Sequence, residues 1–164
     1  MKKTLVILIA FFGSFLTGRT QSFHGVMNGS LSVASVMELS VIPNAGSNVT
    51  IDGTNINSGI SNNNLSTIRV KTNQSWILSV RATSSFFTAS GIYASSNMPV
   101  GVLSVVTPSG QVTLSSTNQQ IALGGRGNFD ASGNTLQLGL KANPGYSYGP
   151  GIYTTSLIYT LTSQ

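Results

Sequence analysis

The stretch Gly151-Ile152-Tyr153-Thr154-Thr155-Ser156-Leu157-Ile158-Tyr159-Thr160-Leu161-Thr162 is written as a β-strand and leaves little room for a helix. Tyr, Ile, Thr and Leu favour a pleated, half-buried surface. Tyr153, Leu157, Tyr159 and Leu161 share one parity, so in a strand they share one face. Thr154, Ser156 and Thr160 take the other face, with Ile152 and Ile158 as apolar exceptions. Pro150-Gly151 supplies the turn that launches the strand. So regular a terminal strand is expected at the centre of its sheet, with the chain packed around it.

The same period recurs upstream. Leu31, Val33, Met37, Leu39 and Val41 alternate with small or polar residues before the turn at Pro43-Asn44-Ala45-Gly46. Val49 and Ile51 suggest a short second strand, and Asp52 to Asn64 reads as a long polar loop. Leu65 to Ala82 predicts a hairpin. Ile68 and Val70 oppose Arg69 and Lys71, Thr72-Asn73-Gln74-Ser75 turns the chain, and Trp76, Leu78 and Val80 face in. Burial of Trp76 would anchor the core, with Phe86 and Phe87 closing its edge. Thr88 to Pro99 reads as a connection. Val102–Val106 and Val112–Leu114 form a second predicted hairpin around Pro108-Ser109-Gly110. Ile121–Leu123 is short, Gly124 to Asn128 reads as a flexible loop, and Leu136 to Lys141 alternates again. Short strands at regular spacing predict an all-β fold, a single immunoglobulin-like β-sandwich of roughly eight antiparallel strands over residues 21–164.

Residues 1–20 stand apart. Lys2-Lys3 precedes an apolar run from Leu5 to Leu16, and small and polar residues follow. This is the layout of a cleaved secretory signal peptide, too short for a confident membrane span. The expected address is secreted or extracytoplasmic, at a cell surface. Phe23 to Asn28 is expected to be a loose arm.

The formal charge of +5 follows largely from that leader. Outside it, Arg69, Lys71, Arg81, Arg126 and Lys141 stand against Glu38, Asp52 and Asp130. So small a basic excess gives no nucleic-acid footprint. The absence of cysteine excludes disulfides, a thiolate metal site, a thiol nucleophile and a cysteine-borne lipid anchor.

The residues offer little chemistry, and the expectation is a non-enzyme with no cofactor and no metal. His24 is the single histidine and falls in the N-terminal arm, so a Ser–His–acid arrangement would depend on it alone. Glu38, Asp52 and Asp130 are scattered and show no spacing that pairs two carboxyls across a glycosidic bond. Asp52-Gly53-Thr54-Asn55-Ile56-Asn57 lacks the further acids of a calcium loop and reads as Asx-type turns. Tyr146 and Tyr148 could offer a sugar-stacking surface, or could be packing residues beside the Pro-Gly turn region.

Trp76-Ile77-Leu78 and the closing Tyr153-x-x-x-Leu157-x-Tyr159-Thr160-Leu161 together resemble the motifs of WxL-domain proteins of bacterial cell surfaces. Those proteins carry a Trp-x-Leu triplet and a distal Tyr-x-x-x-Leu-Thr-Trp-Thr-Leu motif. Ile158 stands where the family has Thr, and Tyr159 where it has the second Trp. The resemblance implies a wall-associated structural or adhesion module, with peptidoglycan or another surface polysaccharide as partner. Trp76, Leu78, Tyr153, Leu157 and Leu161 would be the motif residues, and Tyr159 a substitute. More weakly, the Gly-x-Tyr-Thr opening of the last strand resembles secreted sandwiches of the spore-coat-U and archaic pilin type. That resemblance implies a self-assembling pilus- or coat-like subunit linked to itself or to other surface proteins by β-strand complementation. Leu31 to Val36 is then the donor-like segment.

Overall fold

Alternation is cleanest in β3 (Trp76–Ala82), where Trp76, Leu78, Val80 and Ala82 are buried and Ile77, Ser79 and Arg81 are half-exposed. A strand with one apolar and one polar face needs a second layer to cover the apolar side. The computed structural model, described over residues 30–164, supplies that layer as a second sheet. The leader, the arm to Asn28 and His24 lie outside the described residues.

Ten strands build three antiparallel sheets, and no α-helix occurs among the described residues. The larger sheet holds β1 (Met37–Pro43), β2 (Ile60–Thr72), β5 (Leu103–Thr107), β6 (Gly110–Thr113) and β8 (Thr135–Ala142), in the order β1-β2-β8-β5-β6. The facing sheet has the order β10-β3-β7, with β7 at Gln119–Gly124 and β10 at Leu157–Ser163. A two-stranded ribbon of β4 (Thr88–Ser90) and β9 (Ile152–Thr154) extends the β3–β10 pair. Ile68, Val70, Val105, Leu138 and Leu140 of the large sheet meet Trp76, Leu78, Val80 and Ile121 in one core. This is the β-sandwich expected of the sequence.

Four expectations are corrected. Residues 65–82 are not a hairpin: β2 pairs β1 and β8, whereas β3 pairs β10 and β7, so the 73–75 turn crosses between sheets. The closing strand is not central. It breaks at Thr155-Ser156 into β9 and β10, and β10 is an edge. Val49 and Ile51 lie in irregular chain after a 3-10 turn at Ala45–Ser47, and the strand begins instead at Ile60 with a bulge before Ser66. The loop after Gly124 is tied down, because Gly127 exchanges backbone hydrogen bonds with Thr72 in both directions, at 2.9 and 2.7 Å.

Trp76 shows how that loop is held. Its Nε1 donates to the Gly125 carbonyl at 3.0 Å and to Asn134 Oδ1 at 3.2 Å. Buried Asn134 in turn donates from Nδ2 to the Asn128 carbonyl at 3.0 Å. Gly124 is required beside the ring, since a Cβ there would run into indole Cζ2 and Cε2.

Candidate functional site

The two sheets meet differently along their two seams. On one side β6 and β7 come together. On the other, β1 and β10 are both edge strands, and among the described residues they make no comparable approach.

The open seam is not uniform. Near Trp76, the half-buried Met37, Leu39 and Leu161 pack onto the core. Toward Ala82 it widens into a cleft of about 730 Å³ between Val41 and Pro43 on one wall and Leu157, Ile158 and Tyr159 on the other. Leu65, Phe87, Leu103 and Leu140 line it as well. A second lobe of about 850 Å³ shares Phe87, Leu103, Leu140 and Tyr153 and opens past Asp52, Tyr146 and Ile152. From Tyr153 to Tyr159 the wall spans seven residues, across the break at Thr155-Ser156.

The motif residues divide between core and cleft. Trp76 and Leu78 are 0% exposed. Leu161 lies directly opposite Leu78 on the neighbouring strand, and Tyr159 opposite Val80. The two motifs are therefore adjacent in space. Leu157 and Tyr159 pack onto the core and line the cleft. Tyr153 packs edge-on against Phe87 with ring centroids 6.2 Å apart. Its hydroxyl donates to the Gly149 carbonyl at 2.5 Å and accepts from Ser95 N–H at 2.8 Å. Tyr148 is half-buried against the same small cluster, while Tyr146 is exposed at the mouth.

Ser47, Asn48, Ser66, Thr154 and Thr155 add polar groups to the cleft lining. The Tyr159 hydroxyl lies 3.5 Å from Ser66 Oγ. Burial pushes its phenol above the ordinary value, and the Ser66 contact acts the other way. A raised folded-state value means stability that is complete below about pH 10 and lost as pH rises through the folded value. Tyr159→Phe should therefore blunt the alkaline loss of stability and change little at neutral pH. Urea unfolding of both proteins at pH 7 and at about pH 10.5 checks this. Thr155 Oγ1, at the break between β9 and β10, is buried with no hydrogen-bond partner.

The acids are engaged locally. Glu38 pairs with Lys71 at 3.3 Å and Asp130 with Arg69 at 3.7 Å. Asp52 Oδ1 accepts from the Thr54 hydroxyl and N–H at 2.6 and 2.8 Å, which lowers its carboxyl below the usual range. That is the Asx-type turn expected of the 52–57 loop. No group of three or more potential metal ligands occurs among the described residues. No helix among them is long and apolar enough to cross a membrane.

Sequence reasoning missed the cleft, including Val41, Phe87, Leu103 and Leu140. Each reads as an ordinary core or strand residue, and only the choice of edge strands turns them into a cleft wall. No protein-family model matches this chain, and no curated protein matches it.

Proposed function

We propose that this protein is a non-enzymatic, extracytoplasmic structural subunit that assembles on a cell surface. A β-strand from another copy enters the open seam, completes the sandwich and links the two chains. The observation that carries the reading is the cleft, more apolar than polar, between the edge strands β1 and β10. Edge strands present unpaired N–H and C=O groups, and an added strand satisfies them while its alternate side chains fill pockets.

The donor is the segment that leads into β1. Leu31 and Val33 are 89% and 73% exposed, and they share one strand face. Met27 and Gly29 have the same parity in the sequence. The donor ends at Val33, because the chain is anchored immediately afterwards. Asn73 Nδ2 donates to the Ala34 carbonyl at 2.7 Å, and Val36 N–H donates to Asn73 Oδ1 at 3.0 Å. As a strand, a seven-residue segment ending at Val33 would reach about 20 Å, and the wall from Tyr153 to Tyr159 is seven residues as well.

The donor's root lies at the Trp76 end of its own domain, and the cleft opens at the Ala82 end of the acceptor. Contacts between opposite ends are heterologous and give chains instead of closed pairs. A wall-attached module remains the reading that the WxL resemblance suggests, and co-sedimentation with peptidoglycan sacculi tests it separately.

The deciding experiment compares the wild type with Leu31→Asp/Val33→Asp. Both side chains are exposed, so the stability of a single chain should change by less than about 0.5 kcal/mol. Wild-type protein should form concentration-dependent oligomers in analytical ultracentrifugation, and the variant should remain monomeric. Equal association of the two proteins, or a wild type that stays monomeric at high concentration, would rule the reading out.

A further inference from the structure

Beside the mouth of the cleft the domain exposes apolar side chains on chain that is firmly held. Ile92 and Tyr93 are 91% and 70% exposed, and Ile152 and Tyr146 are exposed as well. Their loops are locked to each other. Gly149 N–H donates to Ser95 Oγ at 2.9 Å, and Tyr153 bridges Ser95 and Gly149 through its hydroxyl. A Cβ on Gly149 would run into the Tyr93 carbonyl, and one on Gly151 would meet Ala94 Cβ at 2.5 Å and the Ser90 carbonyl at 2.9 Å. Glycine at both positions lets the loops close on one another. Rigidly presented apolar side chains mark a surface that something covers.

The segments that carry the patch are uncharged: between Arg81 and Arg126, and after Lys141, the sequence has no Asp, Glu, Lys, Arg or His. Asp52 is the one charged side chain lining the lobe beside it. Exposed apolar side chains occur at the opposite end of the same domain too. There Leu123, paired with Ile77 near Trp76, and Val36, beside the 73–75 turn, are also exposed and apolar.

We infer that the Ile92–Tyr93–Tyr146–Ile152 patch is the docking surface for the body of a second copy, which seats its Val36–Leu123 end there. The inference rests on the strand-complementation reading and adds a second contact to it. Strand polarity brings the two ends together. The cleft lies toward the Ala82 end of the seam, so a donor that enters there is fed from the mouth. Its body follows Val33, so Val33 lies at the mouth and the upstream residues lie deep. The donor then runs antiparallel to β10, the pairing that is slightly more stable per residue. Its anchored residues Ala34 to Val36 emerge beside Tyr146 and Ile152, which line the outer lobe. The body that follows comes to rest on the patch.

The test separates strand insertion from body docking. A synthetic peptide of residues 27–33 carries the donor and no body. Its binding is measured on Leu31→Asp/Val33→Asp protein, which cannot donate its own strand, with and without Ile92→Lys/Tyr93→Ser. Self-association of the intact protein is measured with Ile92→Lys/Tyr93→Ser, and independently with Leu123→Lys. The expected result is unchanged peptide affinity, with self-association weakened about tenfold by a change at either end. Peptide binding together with unaltered self-association in both variants overturns the docking surface and leaves the cleft reading standing. Failure of the peptide to bind overturns the cleft reading and the docking surface together.

Discussion

Trp76→Ala should destabilise the fold by about 3–5 kcal/mol, measured as a lower urea midpoint at unchanged slope. The ring is fully buried at the end of β3 and fills the space that Gly124 leaves beside it. Truncation opens a cavity, and it also removes the donor to the Gly125 carbonyl and to Asn134 Oδ1. Buried acceptors that lose a partner add their own penalty. Trp76→Phe separates the two effects in part, since it keeps a six-membered ring in the site and removes the N–H together with the smaller ring. It should fall well short of the alanine variant. Both changes should loosen the 125–134 loop, seen as faster amide exchange at Gly127 and Asn134. A Trp76→Ala protein of near wild-type stability would show that the indole is not a core anchor.

Leu78→Ala should cost about 2–5 kcal/mol, with Ile77→Ala at the neighbouring position costing much less. Leu78 is fully buried in the middle strand of the three-stranded sheet and faces the large sheet across the core. Ile77 points to the opposite side and is half-exposed. Chemical denaturation of the two variants measures the difference. Equal losses would mean that β3 does not present one buried face. Trp76 and Leu78 carry the Trp-x-Leu resemblance, and the two predictions together state that both act first through the core.

Much of this fold was legible because burial follows parity. On β3 the pattern Trp-Ile-Leu-Ser-Val-Arg-Ala marks its inner face residue by residue. The β5–β6 hairpin was also legible, since Pro108-Ser109 supplies a local turn between two short apolar runs. Pairing was harder. Alternation says which side chains point inward but not which strand lies alongside, so the tight 73–75 turn suggested a hairpin where the chain changes sheets. Nothing in Thr155-Ser156 distinguished a break from two more strand residues. The edge position of β10 depends on how far the chain's other strands extend the sheet, which no single stretch records. The cleft was illegible for the same reason, being the space between two edges. Tyr146 and Tyr148 lie two residues apart and are separated by burial, one at the mouth and one packed on the small cluster.

The pairing of β2 with β8 also governs how the chain must fold. Ile68 lies opposite Leu136, and Ile60 opposite Ala142, so the middle of the large sheet joins distant parts of the sequence. Loop-closure entropy must be met before such contacts form, which makes non-local sheets slow to assemble. β1 and β2 can pair early, but β2's other edge stays bare until β8 arrives. Through that interval, the chain carries an unprotected strand edge in addition to those it keeps when folded. A nascent chain of this topology is at its most association-prone before it is complete.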